Sequence, residues 1–302
     1  MRIPILTDDA GWQGAQLQQA FARRGVEAVF VSLKDCVINL AQQSPEIQIP
    51  YFDALPPAAF VRGIAGGTLQ QVITRLNVLH MLARQGVRIY NQAQAIERTV
   101  DKAMTSFLLR MHSVPTPATW ICESRAQIEA IRQLAITNRQ QLVLKPLFGS
   151  QGKGVRKLQD DEPLPVPMQQ YVDGVYYLQQ FIASAGEPHD YRVFVVGGKV
   201  VAAMKRWGMS WVNNVAIGGR CEAIKPDGKM AEIALSAAQA VDIDYCGVDI
   251  IQAAGGDYYV LEVNSIPAWR GLQSVTDFNI ADVIVDDFLR KLGASLAKRI
   301  KQ

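Results

Sequence analysis

The stretch Asp-Ile-Ile-Gln-Ala-Ala-Gly-Gly-Asp-Tyr-Tyr-Val-Leu-Glu-Val-Asn at 249–264 gathers Asp249, Glu262 and Asn264 in a pattern that has chemical use. Gly255 and Gly256 read as a two-residue hairpin loop, because glycine tolerates the positive φ that primed turns require. A loop of that length sets Asp249 directly opposite Glu262 on one sheet face. Asn264, two residues further on, points the same way and adds a neutral oxygen. Two carboxylates so placed repel each other unless something positive lies between them. An all-oxygen set without His or Cys suits Mg²⁺ or Mn²⁺ better than zinc, and magnesium commonly bridges a few protein oxygens to substrate phosphates. Any one of the three residues alone reads as a solvated position on the outer face of an antiparallel sheet. Their alternation with apolar Ile250, Leu261 and Val263 favours the metal set.

A second cluster runs from Lys145 through Gly149, Ser150 and Gly152 to Gly154. A lysine at a strand end, followed by a glycine-rich loop, offers an ammonium and backbone N–H groups to phosphate. The sequence is not a Walker A motif, and on its own the loop reads equally well as an ordinary turn. The third cluster, 190–206, holds Asp190, Arg192, Lys205 and Arg206 around Gly197-Gly198. A two-residue loop there pairs Asp190 with Lys205 and puts Arg192 on their face. Lys205 is then either a functional cation or half of a cross-strand ion pair on a wet face. His80, His112 and His189 make no metal spacing, and the serines lack a GxSxG setting.

The elements that must position these clusters can be read from hydrophobic periodicity. Short apolar runs at 3–6 and 26–31 flank a helical pattern at 14–24, a βαβ opening. A strand at 60–62, a helix at 69–84 and a strand at 87–90 continue it, so an open and largely parallel sheet is expected. Gly11 and Gly14 fall short of a dinucleotide fingerprint, and 8–14 reads as a plain strand-to-helix turn. One helix is expected over 95–111, then a strand at 118–122, a helix at 125–134 and strands at 141–145 and 155–158. The acidic, proline-rich 160–167 cannot be helical. A strand-rich region follows, closed by a helix at about 282–298.

At 302 residues the chain has about twice the length of a ~150-residue domain, so two or three compact domains are expected. Hydrophobic residues at 49% and charged residues at 20% indicate a globular protein, with no apolar run near the ~18 residues of a membrane span. A net charge of +3, thinly spread, is too small for a dedicated nucleic-acid binder. Asp8 and Asp9 cut short any signal-peptide core, so the cytoplasm is expected. Four isolated cysteines suit reduced thiols.

The order of these clusters resembles the ATP-grasp superfamily, and most closely its RimK-type carboxylate–amine ligases, over almost the whole chain. The resemblance is carried by Lys102 on a helix, Lys145 with its glycine loop, 179–182, 190–192, 247–250 and 261–267. It implies an N-terminal open parallel α/β domain at 1–95, a central lid at 96–180 and a C-terminal antiparallel-sheet domain at 181–302. Lys102, Lys145 and the loop residues Gly149, Ser150, Gly152 and Gly154 would then meet the phosphates of ATP. Gln180, Phe181 and Ile182 would meet adenine, with Asp190 and Asn214 beside the nucleotide. Arg192 and Arg206, with Lys145, would steady the transferred phosphoryl group, and Asp249, Glu262 and Asn264 would hold magnesium or manganese.

Gln180 stands where many relatives carry Glu, and 213–219 lacks the basic residues typical there; Arg270 offers a replacement cation for a substrate carboxylate. The implied activity is ATP-dependent amide or peptide bond formation through an acyl phosphate. The first choice is addition of an amino acid, glutamate foremost, to a small carboxylate-bearing metabolite or cofactor such as a pterin or furan coenzyme. A ligase acting on a protein or peptide terminus is the alternative, and a non-catalytic ATP-binding regulator is the alternative of another class. No nucleic-acid or membrane partner is expected, and the helices at 69–84 and 282–298 offer surfaces for a homo-oligomer.

Overall fold

The computed structural model describes residues 1–41, 43–149, 154–159, 174–208, 211 and 220–300. The chain opens with β1 (Arg2–Leu6), α1 (Gly11–Ala22), β2 (Glu27–Val31), β3 (Val37–Asn39), β4 (Glu46–Gln48) and β5 (Ala58–Val61). Then come α2 (Leu69–Arg84), β6 (Arg88–Tyr90), α3 (Ala93–Val100), α4 (Lys102–Met111), β7 (Thr119–Cys122) and α5 (Arg125–Thr137). Strands β8 (Leu142–Lys145), β9 (Arg156–Lys157), β10 (Tyr176–Gln180), β11 (His189–Val196), β12 (Lys199–Trp207) and β13 (Arg220–Ala223) follow. The chain closes with α6 (Gly228–Ala240), β14 (Tyr245–Gln252), β15 (Tyr258–Asn264), α7 (Arg270–Gln273) and α8 (Ile280–Ile300).

Two compact units result, one of residues 1–96, 243–246 and 265–302, the other of 97–242 and 247–264. In the first, the parallel sheet runs β2-β1-β5-β6, as the βαβ pattern predicts. Strand alternation sends Phe60 to one face, against Phe21 of α1 and Phe288 of α8, and Ala59 and Val61 to the other, with Val78, Leu79 and Leu82 of α2. Asn91 is fully buried; its side chain donates to the carbonyls of Tyr245 (2.9 Å) and Ser265 (2.7 Å) and accepts from the N–H groups of Asp244 and Tyr245 (both 3.0 Å). One amide thus satisfies four backbone groups where the chain enters and leaves 243–246.

The second unit holds two antiparallel sheets, in order β7-β10-β8-β9 and β13-β12-β11-β14-β15. Ile128, Leu142, Leu144, Leu158, Tyr176 and Leu178 form the core of the smaller one. The single helix expected over 95–111 is two, because Asp101 leaves helical geometry at ψ 102° and its carboxylate accepts from the N–H groups of Ala103 and Met104, capping α4. The first helix also starts earlier than expected, at Gly11 rather than 14. None of the four cysteines forms a disulfide. No helix among the described residues is long and apolar enough to cross a membrane.

The hairpin registers differ from expectation in an instructive way. Gly197 (φ 59°) and Gly198 (φ 75°) do form the two-residue turn, yet Val201 is an extra residue, so Phe194 pairs with Ala202 and Asp190 with Arg206, not Lys205. In β14–β15 the loop has three residues, Ala254 to Gly256, with Gly256 in left-handed geometry at φ 93°, and Ile250 pairs with Val260. Leu261 is then the extra residue, and it restores Asp249 opposite Glu262. The expected pairing is correct because the two offsets cancel.

Replacing Asn91 with Ala strands four buried backbone groups, so the midpoint of urea unfolding should fall by the equivalent of about 3–5 kcal/mol; a loss under 1 kcal/mol contradicts this account of the junction.

Candidate active site

Three adjacent strands bring the acidic and basic residues of 190–264 together within the second unit. Asp190 and Arg192 alternate along β11, Arg206 lies opposite Asp190 on β12, and Asp249 lies on β14. Arg192 donates through Nε and Nη2 to the two oxygens of Asp249, at 2.7 and 2.6 Å. Arg206 donates in the same forked way to Asp190, at 2.6 and 2.8 Å, and its Nη2 also lies 3.1 Å from Asp249 Oδ2. Asp190, Arg206 and Asp249 are buried, so this is a desolvated alternating chain of charge. Burial alone would raise the Asp249 carboxyl, but Arg192 and Arg206 hold it well below the usual carboxylate range. Burial likewise opposes the Arg206 charge, and Asp249 and Asp190 outweigh it.

Glu262 and Asn264 close the chain of groups on β15. The Asn264 amide donates to Glu262 Oε1 at 3.0 Å and weakly to Asp249 Oδ2 at 3.4 Å, so its nitrogen now occupies the place of a cation between two carboxylates. Among the described residues no group of three His, Cys, Asp or Glu side chains is arranged as a metal cage. Two carboxylates and one amide that can turn its oxygen inward remain a fitting set for a hard divalent ion that keeps waters and phosphate oxygens.

The lysines stand on the smaller sheet and on α4. Lys145, at the end of β8, donates to Gln179 Oε1 at 2.5 Å, and Gln179 in turn donates to the hydroxyls of Thr119 and Tyr177 at 3.2 and 3.3 Å. Burial pushes the Lys145 ammonium down to about 8, against the pull of Glu262 and Asp249, while Lys102 adds to the push. Lys102 is also lowered by burial, and its Nζ donates to the carbonyls of Leu147 (3.2 Å) and Gly149 (2.8 Å). This bond pins the start of the glycine loop. At the loop's far side Gly154 has φ 75°, and a Cβ there would meet Pro146 Cγ at 2.8 Å, so glycine is required.

Gln180 ends β10, and Phe181 and Ile182 follow it; the Lys157 ammonium lies 3.6 Å from the centre of the Phe181 ring. Ser150, Gly152 and Asn214 lie outside the described residues. Arg270 is an exposed residue at the start of α7 in the first unit. Lys205 pairs with Tyr191 and lies over the Trp207 ring at 3.7 Å, away from the Asp190 face. Sequence reading missed Gln179 and Lys157 as parts of this site. For Gln179 a signal existed: it shares a β10 face with Tyr177, whose partner across the sheet is Lys145.

The description RimK-like ATP-grasp domain fits residues 99–288, and RimK pre-ATP-grasp domain fits residues 1–96. The chain belongs to the RimK-like ATP-grasp family, and by family it is an ATP-dependent ligase. It is 30% identical over 295 residues to the tetrahydromethanopterin:alpha-L-glutamate ligase of Methanococcus maripaludis, covering 96% of this chain and 98% of that one. A probable alpha-L-glutamate ligase of Halorhodospira halophila is 31% identical over 297 residues, covering 95% and 94%. In fold the chain is similar to the ATP-grasp ligase PsnB complexed with minimal precursor, Mg and ADP, with a TM-score of 0.74 at 19% identity over 96% of this chain and 97% of that one.

Two outcomes test this geometry. Arg206→Ala leaves two buried carboxylates underpaired and should destabilise by about 3–5 kcal/mol, whereas Lys205→Ala should cost no more than about 1 kcal/mol; equal effects in urea unfolding contradict the observed register. A lysine whose pKa is about 8 when folded and 10.5 when unfolded binds fewer protons in the folded state between those values. Its penalty on stability is therefore full below pH 8 and fades as pH rises to about 10.5. An ADP affinity that draws on this ammonium should fall roughly tenfold from pH 7 to 9, and Lys145→Met should flatten that profile.

Proposed function

We propose that this protein joins an amino acid, glutamate foremost, to a small carboxylate-bearing metabolite or cofactor of the pterin type, through an acyl phosphate. The observation that carries the reading is the juxtaposition of Arg192 and Arg206 with Asp249, Glu262 and Asn264, and of Lys145 with the same carboxylates. Similarity across nearly the full length to ligases named for alpha-L-glutamate supports the choice of amino acid, and the name of the methanogen enzyme supports a pterin-like acceptor.

In this reading residues 96–180 form the lid over the nucleotide and 181–302 the metal-bearing domain, after an N-terminal domain at 1–95. Lys102, Lys145 and the loop from Gly149 through Ser150 and Gly152 to Gly154 hold the phosphates of ATP. Gln180, Phe181 and Ile182 border adenine, and Asp190 and Asn214 flank the nucleotide. Asp249, Glu262 and Asn264 hold Mg²⁺, with Mn²⁺ able to replace it, and the ion supplies charge neutralisation on the phosphate oxygens.

Transfer of the γ-phosphoryl group to the acceptor carboxylate spreads negative charge over oxygens that Arg192, Arg206 and Lys145 face. The amine of the amino acid then attacks the activated carbonyl, and the same cations stabilise the tetrahedral oxyanion before phosphate leaves. No covalent nucleophile is needed, only positioning, charge and exclusion of water from the acyl phosphate. Arg270 serves as a cation for an acidic substrate. The cytoplasm, which supplies ATP and free amino acids, is the compartment this chemistry suits.

The test is magnesium-dependent ADP release by the purified protein with each of the twenty amino acids, with and without a deproteinised small-molecule extract. Release should need glutamate plus the extract and should fall at least about a hundredfold in Glu262→Gln. Arg270→Ala should raise the KM for the acidic substrate and leave ATP binding intact. Nucleotide binding without ADP release under any combination overturns the small-acceptor reading.

A further inference from the structure

The smaller sheet of the second unit has two unlike faces. On one, Leu142, Leu144, Tyr176 and Leu178 form an apolar core with Ile128 and Ala135 of α5. The other carries Thr119 of β7, Tyr177 and Gln179 of β10 and Lys145 of β8 side by side. They meet because β10 lies between β7 and β8, with Gln179 opposite Thr119 and Tyr177 opposite Lys145. Gln179 and Tyr177 are each only 1% exposed. Burying an amide and a phenol is unfavourable unless hydrogen bonds offset it, and here every such bond runs toward Lys145 or holds a group that does.

The Gln179 amide has a single workable orientation in this setting. Thr119 Oγ1 donates its proton to the Pro117 carbonyl at 2.9 Å, so toward Gln179 it can only accept, and Gln179 Nε2 donates to it at 3.2 Å. Nε2 also donates to the Tyr177 hydroxyl at 3.3 Å, and that hydroxyl lies 2.7 Å from Ser106 Oγ of α4. Both amide protons are thus engaged, and Oε1 accepts from the Lys145 ammonium at 2.5 Å. A flipped amide would set N–H against N–H at the ammonium and oxygen against a committed hydroxyl. A carboxylate in the same place would form an ion pair and cancel a charge that burial already opposes.

We propose that Gln179 is the positioning residue of Lys145: locked by Thr119 and Tyr177, its carbonyl oxygen aims the ammonium at the nucleotide phosphates and leaves the charge uncancelled. The inference rests on the reading that Lys145 meets those phosphates, and it adds a residue to which that reading gives no part. Ser106 extends the lock to α4, the helix that begins with Lys102, so one chain of neutral groups fixes the carriers of both lysines.

The experiment measures the affinity of the full chain for Mg²⁺-ADP by calorimetry in Gln179→Met, Gln179→Glu, Lys145→Met and the double variant of Gln179→Met with Lys145→Met. Gln179→Met should weaken ADP binding about tenfold. Gln179→Glu, which keeps the shape but pairs the charge, should weaken it at least as much. In the Lys145→Met background, Gln179→Met should cost nothing further, a result that a merely structural role does not give. Thr119→Val combined with Tyr177→Phe keeps the amide but frees it to turn. Binding about threefold weaker, and only while Lys145 is present, carries the same test should Gln179→Met fail to fold. Wild-type affinity in Gln179→Met or Gln179→Glu, or an equal loss with and without Lys145, overturns the assignment, while a loss in Lys145→Met still upholds the reading of that lysine. Unchanged affinity in Lys145→Met sinks both.

Discussion

The alternating chain Asp190, Arg206, Asp249, Arg192 is the constraint on which the second unit depends. Removing each of these charges from water costs several kcal/mol, and only close, forked pairing with an opposite charge offsets it. The pairing therefore admits one register for three neighbouring strands. A slip of one residue in β11–β12 would put Lys205 where Arg206 stands and leave Asp249 with one guanidinium fewer. The same chain leaves Glu262 outside the arginine pairs, matched by the Asn264 amide and by the field of Lys145. Excess negative charge beside Glu262 and a buried ammonium near it are what a cation and a polyphosphate together would neutralise.

The lysines show how burial is used on the other sheet. Among the described residues Lys145 has no carboxylate partner in direct contact; it is held by the neutral Gln179, itself fixed by Thr119 and Tyr177. A neutral partner orients the ammonium without quenching it, so its charge remains available to an incoming anion. Lys102 is occupied with carbonyls of the glycine loop, which couples the position of that loop to the start of α4. In the N-terminal unit the Arg62 guanidinium is positioned over the Trp269 ring at 5.3 Å.

Much of this was legible in the chain. Alternation and turn residues located the strands, and the helix read at 69–84 from its periodic apolar stripe is α2 to the residue, where the structure adds a capping box between Thr68 and Gln71. The break at Asp101 was not seen, since a capping aspartate inside a helical pattern looks like any polar position. The facing of Asp249 and Glu262 was read from the Gly-Gly turn and holds because the longer loop and the extra residue Leu261 offset each other. Gln179 was given no role, because which face of β10 turns toward Lys145 is set by the pairing of β8 with β10.

Sequence alone determined the inventory: an all-oxygen acidic set, a lysine with a glycine loop, paired arginines, and the parallel and antiparallel segments that carry them. These follow from local periodicity, turn chemistry and charge, which need no knowledge of distant neighbours. Only the tertiary structure decided which cation faces which carboxylate. Val201 and Leu261 are bulges with no local signature, stabilised by the packing and charge pairing they make possible. Whether a charged group finds partners, as Arg206 does in Asp190 and Asp249, is a property of its surroundings in the fold, because desolvation and partner geometry arise only when remote strands meet.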